Sequence, residues 1–501
     1  MTTKEVFRKY TDEETFSKII DMDTVSEMWA HCLREYAERI AIQDPDRAWT
    51  FAEVEEKAAV FRTVLRKAGL TAGDRVGLLF PNSLEFVPVY LAVVTSGMAA
   101  MILPAHLDET AVFGCTMKYA LKAVAYHPVS EAKTAFSRTH GSKAVFLPAA
   151  TEETEKTPVS NAVKAEDPAL IMFTGGTTGK SKGALLSNGA VLQGTVNGCY
   201  GIKEIFGERY ILTLPLSHVF GLIRNLMTSL YTGSTLFFCL NNQDMFRNIA
   251  EFRPTFLVTV PAIAEMALTL SKKFKKNMLG PDMKTIISGA APVPPYLISE
   301  YAKLGVTVLP GYGLTESANL VSGNPESLAH PESVGFLFPN QEAKIVDGEL
   351  WLRGRNMLAE YVGEEERAYE DGWFKTGDLA RFDEEGFLYI VGRIKEIIVL
   401  PSGENISPAE VETYFNELPS VQDSQVFEAL NDAGDHILAL EVVPRLTELA
   451  GVEDVKAFVE EACRRVNEKL PSHMRVSRIT VRDTDFKRTP SMKIERYKTI
   501  R

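Results

Sequence analysis

Short β-rich runs alternate with helical stretches through much of this chain of 501 residues. The runs cover residues 75–80, 143–147, 169–173, 210–215, 234–240, 255–260, 285–288 and 306–309. The run at 169–173 is apolar throughout, as expected of a buried strand. The alternation predicts an α/β fold in which helices lie on both faces of doubly wound parallel sheets.

The pattern changes after residue 342. Predicted strands at 343–346, 349–353 and 387–391 are separated by Asp-Gly and Glu-Gly pairs, which favour tight turns. We interpret this stretch as a small distorted β-barrel-like part of a large amino-terminal domain, residues 1–392. A chain of this length is too large for a single core.

The tail from about residue 396 again mixes helices and strands. Helices are predicted at 408–417 and 455–469, and strands at 424–429 and 436–443. We therefore predict a small carboxy-terminal α+β domain over residues 393–501.

Two amino-terminal stretches bear on the core. Residues 24–70 look helical, and Thr50 followed by Glu53 forms a capping pattern before an apolar-periodic run. Residues 86–104 carry no charge and could pass for a membrane span, but Pro88 and Gly97 interrupt them. We interpret 83–95 as a buried helix and 98–103 as the strand after it.

The bulk composition is that of a soluble globular protein. Hydrophobic residues make up 45% and charged residues 24%, and the net charge is −12. This balance argues against a general nucleic-acid or anionic-membrane partner. The five cysteines form no C-x-x-C pair, and residues 1–18 lack the apolar core of a signal peptide. We expect a cytoplasmic protein with no transmembrane segment.

A glycine- and threonine-rich loop spans residues 174–183, after the strand at 169–173 and before an expected helix start at 190–194. Its glycines let backbone N–H groups converge on one point, and Lys180 and Lys182 add positive charge. Such a loop suits a polyphosphate, although a flexible surface loop has the same composition.

The loop nearly matches a Walker A sequence. Counting back from Gly179, Lys180 and Ser181, the first glycine should stand at position 174, where the chain has Thr174. From this loop alone, a P-loop NTPase remains an alternative.

Further segments carry candidate functional groups. They are 214–221 with His218, 287–292 with small residues, 311–316 with an aromatic, a hydroxyl and a carboxylate, 373–379 with Asp378, 392–396 with Arg393, and 488–494 with Lys493. Each alone is a weak signal, and a lone histidine such as His218 is more often a satisfied core residue.

In this order, the segments resemble the adenylate-forming superfamily of acyl-CoA synthetases, carrier-protein adenylation domains and luciferases, from about residue 24 to 497. Residues 392–410 are most similar to fatty-acyl-CoA ligases. The resemblance implies an enzyme that activates a carboxylic acid with ATP and Mg²⁺ and transfers the acyl group to coenzyme A. Loading of a carrier-protein phosphopantetheine is the alternative, and the P-loop NTPase becomes a remote one.

The resemblance implies roles for the matched residues. Those expected to bind ATP or AMP are Thr174, Gly175, Gly176, Thr177, Thr178, Gly179, Lys182, Gly289, Ala290, Ala291, Gly311, Tyr312, Gly313, Leu314, Thr315, Asp378, Arg393 and Lys493. Those expected to act in catalysis are Lys493, Glu316, Thr315 and His218.

More specifically, Thr174 and Glu316 would bind Mg²⁺, whose preferred ligands are oxygens. Tyr312 would stack on adenine, and Asp378 would accept hydrogen bonds from the ribose hydroxyls. The small domain is expected to be mobile and to rotate between half-reactions.

The remaining roles concern the carboxy-terminal part and the acid. The domain would pivot near Lys395, and rotation would bring Gly403 to the channel for coenzyme A. Lys493 would bridge the acyl carboxylate and the α-phosphate. The expected acyl pocket includes Phe220, Leu222, Ile223, Val258, Val260, Leu314, Asn319 and Leu320, which favours an aliphatic or aryl acid over an amino acid.

Three positions depart from the usual pattern of the superfamily. Ser181 stands where proline is common, Pro310 where glutamine often occurs, and Met492 where glycine commonly precedes the catalytic lysine. Pro310 is expected to alter the floor of the acyl pocket, and Met492 the geometry of Lys493.

Overall fold

The computed structural model describes residues 3–174, 182–364, 368–399, 405–431, 433–488 and 494–496. The first fifteen strands are β1 Ile40–Gln43, β2 Ala48–Thr50, β3 Arg75–Leu79, β4 Ala99–Leu103, β5 Ala123–Tyr126, β6 Val145–Pro148, β7 Pro168–Phe173, β8 Gly183–Ser187, β9 Arg209–Leu212, β10 Thr235–Phe238, β11 Phe256–Thr259, β12 Thr285–Ser288, β13 Thr307–Tyr312, β14 Ser322–Gly323 and β15 Phe336–Leu337.

The later strands are β16 Gln341–Val346, β17 Glu349–Gly354, β18 Glu360–Tyr361, β19 Tyr369–Glu370, β20 Trp373–Phe382, β21 Leu388–Arg393, β22 Ile398–Val399, β23 Asn405–Ile406, β24 Val421–Leu430, β25 His436–Pro444 and β26 Arg478–Val481.

The α-helices are α1 Thr3–Arg8, α2 Glu13–Lys18, α3 Val25–Tyr36, α4 Phe51–Lys67, α5 Phe86–Val94, α6 Glu109–Lys118, α7 Ala135–Thr139, α8 Asn188–Asn197, α9 Thr228–Tyr231, α10 Met245–Phe252, α11 Pro261–Phe274, α12 Pro295–Lys303, α13 Pro408–Asn416 and α14 Val455–Lys469. A π-helical segment, Phe220–Met227, runs directly into α9.

Two large sheets build the amino-terminal part. The nine-stranded sheet has the order β15-β14-β13-β12-β11-β9-β10-β1-β2, and its central strands from β13 to β1 are parallel. The seven-stranded sheet has the order β18-β8-β7-β4-β3-β5-β6, with β7, β4, β3, β5 and β6 parallel. The prediction of parallel sheets in an α/β fold is confirmed, with antiparallel strands added at the edges.

A five-stranded antiparallel sheet follows, in which β16, β17, β20 and β19 are neighbours and β21 pairs with β20. It corresponds to the predicted distorted β-barrel-like part. The tail forms the β22–β23 pair and the sheet β24-β25-β26, with α13 and α14 packed beside it. A separate hydrophobic core within residues 398–476 fills this part. The boundary at 392 and the mobility of this unit stay predictions.

Local sequence signals explain several element boundaries. The Thr50 hydroxyl accepts from the Glu53 N–H at 3.2 Å, and the Glu53 carboxylate accepts from the Thr50 N–H at 2.7 Å, which confirms the capping box at the start of α4. Helix α5 is buried on every face, as predicted for a core helix. Among the described residues, no helix is long and apolar enough to cross a membrane.

One prediction near the sheets is wrong in part. The stretch 24–70 is not helical throughout, because β1 and β2 separate α3 from α4. The helix expected to start at 190–194 is confirmed as α8, which begins at Asn188, but the strand β8 between the glycine-rich loop and this helix was not predicted. In both places short strands extend a sheet through long-range pairing that local sequence does not reveal.

Candidate active site

The carboxyl ends of parallel strands in the nine-stranded sheet open into one large cleft. Its walls include the residues after β9, β11, β12 and β13, and its volume is 2900 Å³. Clefts at this end of a parallel sheet are the usual ligand sites of α/β folds. The antiparallel sheet and part of the tail complete the walls.

The cleft brings together most of the residues that the sequence predicted. Those lining it are Thr174, Lys182, His218, Gly289, Ala290, Ala291, Gly311, Tyr312, Gly313, Leu314, Thr315, Glu316, Asp378, Arg393 and Lys395. Gly175, Gly176, Thr177, Thr178, Gly179, Gly403 and Lys493 lie outside the described residues, as do Ser181 and Met492.

The base of the glycine-rich loop is a β-hairpin. Phe173 on β7 pairs with Gly183 on β8, and the Thr174 N–H donates to the Lys182 carbonyl at 2.8 Å. A P-loop instead joins a strand directly to a helix, whose N-terminus then faces the phosphate. Here β8 separates the loop from α8, so the arrangement differs from that of a P-loop NTPase.

The two predicted metal ligands, Thr174 and Glu316, line the same cleft. Glu316 lies in a short 3₁₀ turn after β13, and its carboxylate accepts from the Tyr361 hydroxyl at 2.8 Å. Burial raises the pKa of Glu316, and the hydrogen bond from Tyr361 opposes that rise. A hydroxyl and one carboxylate fit Mg²⁺, which usually keeps water and phosphate oxygens as its other ligands.

Tyr361 was not identified from the sequence. Its ring also lies against Lys182, whose Nζ is 4.9 Å from the ring centroid. Tyr361 therefore links the base of the glycine-rich loop to Glu316. A tyrosine on the two-residue strand β18 gives no local signal of this position, because the pairing of β18 with β8 places it there.

Asp378 is held by two donors, one from each of two different sheets. The Tyr312 hydroxyl donates to Oδ2 at 2.5 Å, and the Arg393 Nε donates to Oδ1 at 2.7 Å. Asp378 on β20 is the register partner of Arg393 on β21, and its side chain is only 2% exposed. Burial and the nearby Asp378 raise the pKa of Tyr312 well above its usual value, so Tyr312 remains a donor.

Small residues at the ends of β12 and β13 keep the cleft open. A Cβ at Gly289 would meet the Gly311 carbonyl at 3.0 Å, and Ala290 has a left-handed φ of 65°. A Cβ at Gly313 would lie 1.2 Å from the Asn319 carbonyl, so only glycine fits there without moving the backbone. These small residues line the cleft together with Tyr312.

His218 lies where β9 leads into the π-helical segment. Its Nδ1 accepts from the Phe220 N–H at 3.2 Å, which leaves Nε2 as the donor atom of the neutral ring. The Gly221 backbone approaches so closely that a Cβ would be 2.4 Å from the Pro215 carbonyl. His218 is half-buried at the edge of the cleft.

Five of the eight residues expected in the acyl pocket line the cleft. Residues lining the cleft include Phe220, Val260, Leu314, Asn319 and Leu320. The expectation for Leu222, Ile223 and Val258 is wrong, because they are fully buried in the core and do not line the cleft. By strand alternation, the side chains of Val258 and Val260 point to the same side. Only Val260 lines the cleft, because it stands at the carboxyl end of β11.

Comparison with known proteins places these features in a family. Residues 29–362 match the family model of the AMP-binding enzymes. The 4-coumarate–CoA ligase-like 6 protein of Arabidopsis thaliana is 32% identical over 433 residues, which is 78% of this chain and 76% of that protein. A long-chain-fatty-acid–CoA ligase of Salmonella typhimurium is 29% identical over 459 residues, covering 79% and 81%.

A solved structure extends the similarity to nearly the whole chain. The o-succinylbenzoate coenzyme A synthetase of Bacillus subtilis, in complex with ATP and a magnesium ion, is 25% identical with a TM-score of 0.78. The match covers 93% of this chain and 98% of that one.

Proposed function

This chain belongs to the AMP-binding enzyme family, and from that premise we propose that it is an acid–thiol ligase, an AMP-forming acyl-CoA synthetase. The observation that carries the proposal is that Thr174, Glu316 and Asp378, far apart in sequence, line one cleft. That cleft offers oxygen ligands for a metal beside an acceptor for sugar hydroxyls. An ATP-dependent reaction uses both.

In the first half-reaction, an oxygen of the substrate carboxylate attacks the α-phosphorus of ATP. The bond from that phosphorus to the bridging oxygen breaks, and pyrophosphate leaves. Lys182 and the backbone of the glycine-rich loop bind the outer phosphates, while Asp378 accepts from the ribose. Thr315 contacts the α-phosphate, and Lys493 offsets the charge of the approaching anions. Bound Mg²⁺ would offset the charge of the phosphates.

In the second half-reaction, the sulfur of coenzyme A attacks the acyl carbonyl carbon. The bond from carbon to the phosphate oxygen breaks, AMP leaves, and the thiol proton passes to solvent. The carboxy-terminal domain rotates near Lys395 between the halves, which removes Lys493 and brings Gly403 to the thiol channel. Closure also protects the acyl adenylate from water.

The substrate acid has a chain that contacts the apolar walls of the cleft. Phe220, Val260 and Leu320 supply those walls, and Pro310 forms part of the floor. His218 lines the edge of the cleft, a position that supports a role for its ring near the reacting carboxylate. Aliphatic and aryl acids fit such a surface better than an amino acid, whose ammonium would need a carboxylate partner.

The proposal is tested with a panel of acids, ATP and Mg²⁺, with and without coenzyme A. We expect acid-dependent AMP release with coenzyme A, and a bound acyl adenylate with pyrophosphate release without it. Acyl adenylate with no acyl-CoA at millimolar coenzyme A would instead support loading of a carrier-protein phosphopantetheine. Phosphate release with no acid dependence would contradict acyl activation altogether.

A further inference from the structure

The described residues that flank Lys493 form the two arms of a β-hairpin. Arg488 and Ile494 are antiparallel bridge partners, and the Glu495 N–H donates to the Lys487 carbonyl at 2.8 Å. Lys493 itself lies outside the described residues and directly precedes Ile494 in the chain. Because consecutive Cα atoms are only about 3.8 Å apart, groups that fix the second arm restrict the position of Lys493.

Arg496 fixes the second arm through two carboxylates. Its Nη1 and Nη2 each donate to one carboxylate oxygen of Glu412, both at 2.7 Å. Its Nε lies 3.0 Å from a carboxylate oxygen of Glu396. Every nitrogen of the guanidinium therefore has a carboxylate partner. A bidentate pair of this kind fixes the orientation of the arginine as well as its distance.

Glu412 is itself held firmly in the carboxy-terminal unit. It stands on α13, is only 6% exposed, and its Oε1 also accepts from the Val426 N–H on β24 at 2.7 Å. Burial raises the pKa of Glu412, and Arg496 opposes that rise. The contact therefore ties the second arm of the hairpin to both the helix and the sheet of this unit.

Glu396 connects the same arginine to the predicted pivot. Glu396 is the last residue of the 3₁₀ turn Ile394–Glu396 and directly follows Lys395. Arg496 and Glu396 both line the active-site cleft. Arg496 thus joins the arm beside Lys493 to the turn in which the domain is expected to pivot.

The first arm of the hairpin has a similar anchor. Arg488 donates to the Asp423 carboxylate on β24 and, at 3.2 Å, to the Asp485 carboxylate. Each arm therefore carries an arginine that pairs with carboxylates of the carboxy-terminal unit. The chain that connects the arms, and with it Lys493, is held from both sides.

Direct binding of a substrate phosphate by Arg496 does not fit these contacts. Two carboxylates, Glu412 and Glu396, surround one guanidinium, so the group as a whole is not positive. An arginine that binds a phosphate in a bidentate geometry needs two donors for it. The contacts point instead to a role in holding the hairpin.

We propose that Arg496 is a positioning residue for Lys493, and that its contacts with Glu412 and Glu396 hold the lysine ammonium where adenylation needs it. The proposal rests on the proposed function, in which Lys493 acts in the first half-reaction only. A misplacement of about 1 Å can cost about 100-fold in rate. Loss of the anchor should therefore slow adenylation and spare thioester formation.

Single-turnover assays of the two half-reactions test this role, with the acid that gives the most AMP. Arg496→Met should slow acyl-adenylate formation by about 10- to 100-fold and change conversion of preformed acyl adenylate by less than about threefold. In the Lys493→Ala background, the same substitution should cost less than about threefold, because an anchor has no effect once the anchored group is gone.

Glu412→Gln and Glu441→Gln are a matched pair of variants in the same unit. Glu441 on β25 accepts from Arg482 Nη1 at 2.5 Å, so it forms a comparable ion pair that does not include the hairpin. Glu412→Gln keeps the shape but loses the charge, and adenylation should slow by about three- to tenfold. Glu441→Gln should change it by less than about twofold.

Limited digestion with trypsin tests the anchor without any reaction. Cleavage after Lys493, followed by mass spectrometry, should be at least about fivefold faster in Arg496→Met than in wild type, because proteolysis follows local opening. Cleavage of Glu441→Gln at this position should match that of wild type.

The outcomes separate this inference from the proposed function. Equal slowing of both half-reactions, or an undiminished effect of Arg496→Met in the Lys493→Ala background, overturns the positioning role while the ligase stands. Unchanged cleavage after Lys493 in Arg496→Met overturns the anchor even if no acid yields AMP. Faster cleavage in that variant, with no AMP from any acid, supports the anchor and rejects the proposed function instead.

Discussion

Asp378 and Glu316 both line the cleft but differ in the groups that surround them, and the difference suits them to the two roles proposed above. Asp378 already has a cation, Arg393, and a hydroxyl donor, Tyr312. Glu316 has one hydroxyl donor and, within the described ranges, forms no ion pair. A carboxylate whose charge is already balanced by a cation suits neutral sugar hydroxyls, whereas a carboxylate without a neighbouring cation suits a metal ion.

Tyr361→Phe should shift the acid limb of the pH profile. If Glu316 binds Mg²⁺ as proposed, its carboxyl group must be ionised, and activity should fall as pH drops through its pKa. Burial raises that pKa, and the Tyr361 hydrogen bond opposes the rise. Removing the hydroxyl should therefore move the acid limb of kcat/KM for ATP upward by about one pH unit.

Tyr369→Phe is the matched control for this experiment. Tyr369 also lines the cleft, but its hydroxyl donates to the Leu358 carbonyl rather than to a carboxylate. Its removal should leave the acid limb in place. An unchanged acid limb in Tyr361→Phe would show that ionisation of Glu316 does not limit the reaction.

Lys493→Ala should slow one half-reaction and spare the other. If the ammonium stabilises only the adenylation transition state, acyl-adenylate formation should fall by roughly 10²–10³. Conversion of preformed acyl adenylate to acyl-CoA should stay nearly unchanged. Single-turnover assays of each half measure this, with Lys456→Ala, an exposed lysine beside Asp483, as the control. Equal loss in both halves would remove Lys493 from the adenylation step.

At the scale of elements, the turn after β13 depends on a glycine. Ala318 and Asn319 both have left-handed φ, 47° and 85°, and this turn places the Asn319 carbonyl against Gly313. Gly313→Ala should destabilise the protein by about 3 kcal/mol, because the new Cβ forces the backbone apart. Thermal and urea unfolding measure the loss, and ATP binding should weaken with it.

Gly114→Ala is the same substitution at a position where we expect it to increase stability. Gly114 is exposed within α6, and a Cβ there meets nothing within 4 Å. Alanine should stabilise the helix by about 0.5–1 kcal/mol. If both variants changed stability alike, the close contact at Gly313 would not be decisive.

The sequence predicted elements with strong local signals and missed those that depend on pairing. The capping box of Thr50 and the apolar runs of the parallel strands carry their own signals. Strand β8 does not, because Gly183–Ser187 becomes a strand only by pairing with β7 and β18. Tyr361 was missed for the same reason, since β18 exists only through that pairing.

The candidate site shows the same division. Asp378 was predicted from the family resemblance, but the hydrogen bond that it accepts from Tyr312 depends on how β13 packs against the five-stranded antiparallel sheet.

At the scale of the whole molecule, charged groups join the tail to the amino-terminal part. Glu265 on α11 lies 3.8 Å from the Arg445 guanidinium, which stacks over the Tyr296 ring at 4.4 Å. Lys272 on the same helix is 3.1 Å from Glu448. These contacts lie between the carboxy-terminal unit and the amino-terminal part, and the proposed rotation of the domain would break them.

Glu265 makes this contact sensitive to pH. Burial raises its pKa to about 7, while the Tyr296 hydroxyl opposes the rise, Asp423 adds to it, and Arg445 and Arg488 oppose it. Once the domain moves away, water should return the pKa to its ordinary value near 4.5. The docked state therefore binds a proton more tightly. The extra stability of the docked state is fully present at pH values below the ordinary pKa of Glu265, and it is lost as the pH rises through about 7.

We therefore expect the wild-type protein without ligands to open as pH rises from about 6 to about 8. Small-angle X-ray scattering should show a larger radius of gyration at the higher pH. Glu265→Gln stays neutral at every pH and keeps a partner for Tyr296, so its radius should not change over this interval. Glu300→Gln is the control. Hydrogen bonding from Lys303 lowers the pKa of Glu300, so this carboxyl group is already ionised throughout the interval. The radius of gyration of this variant should therefore change with pH as that of the wild type does. The same pH response in wild type and Glu265→Gln would show that another group governs domain docking.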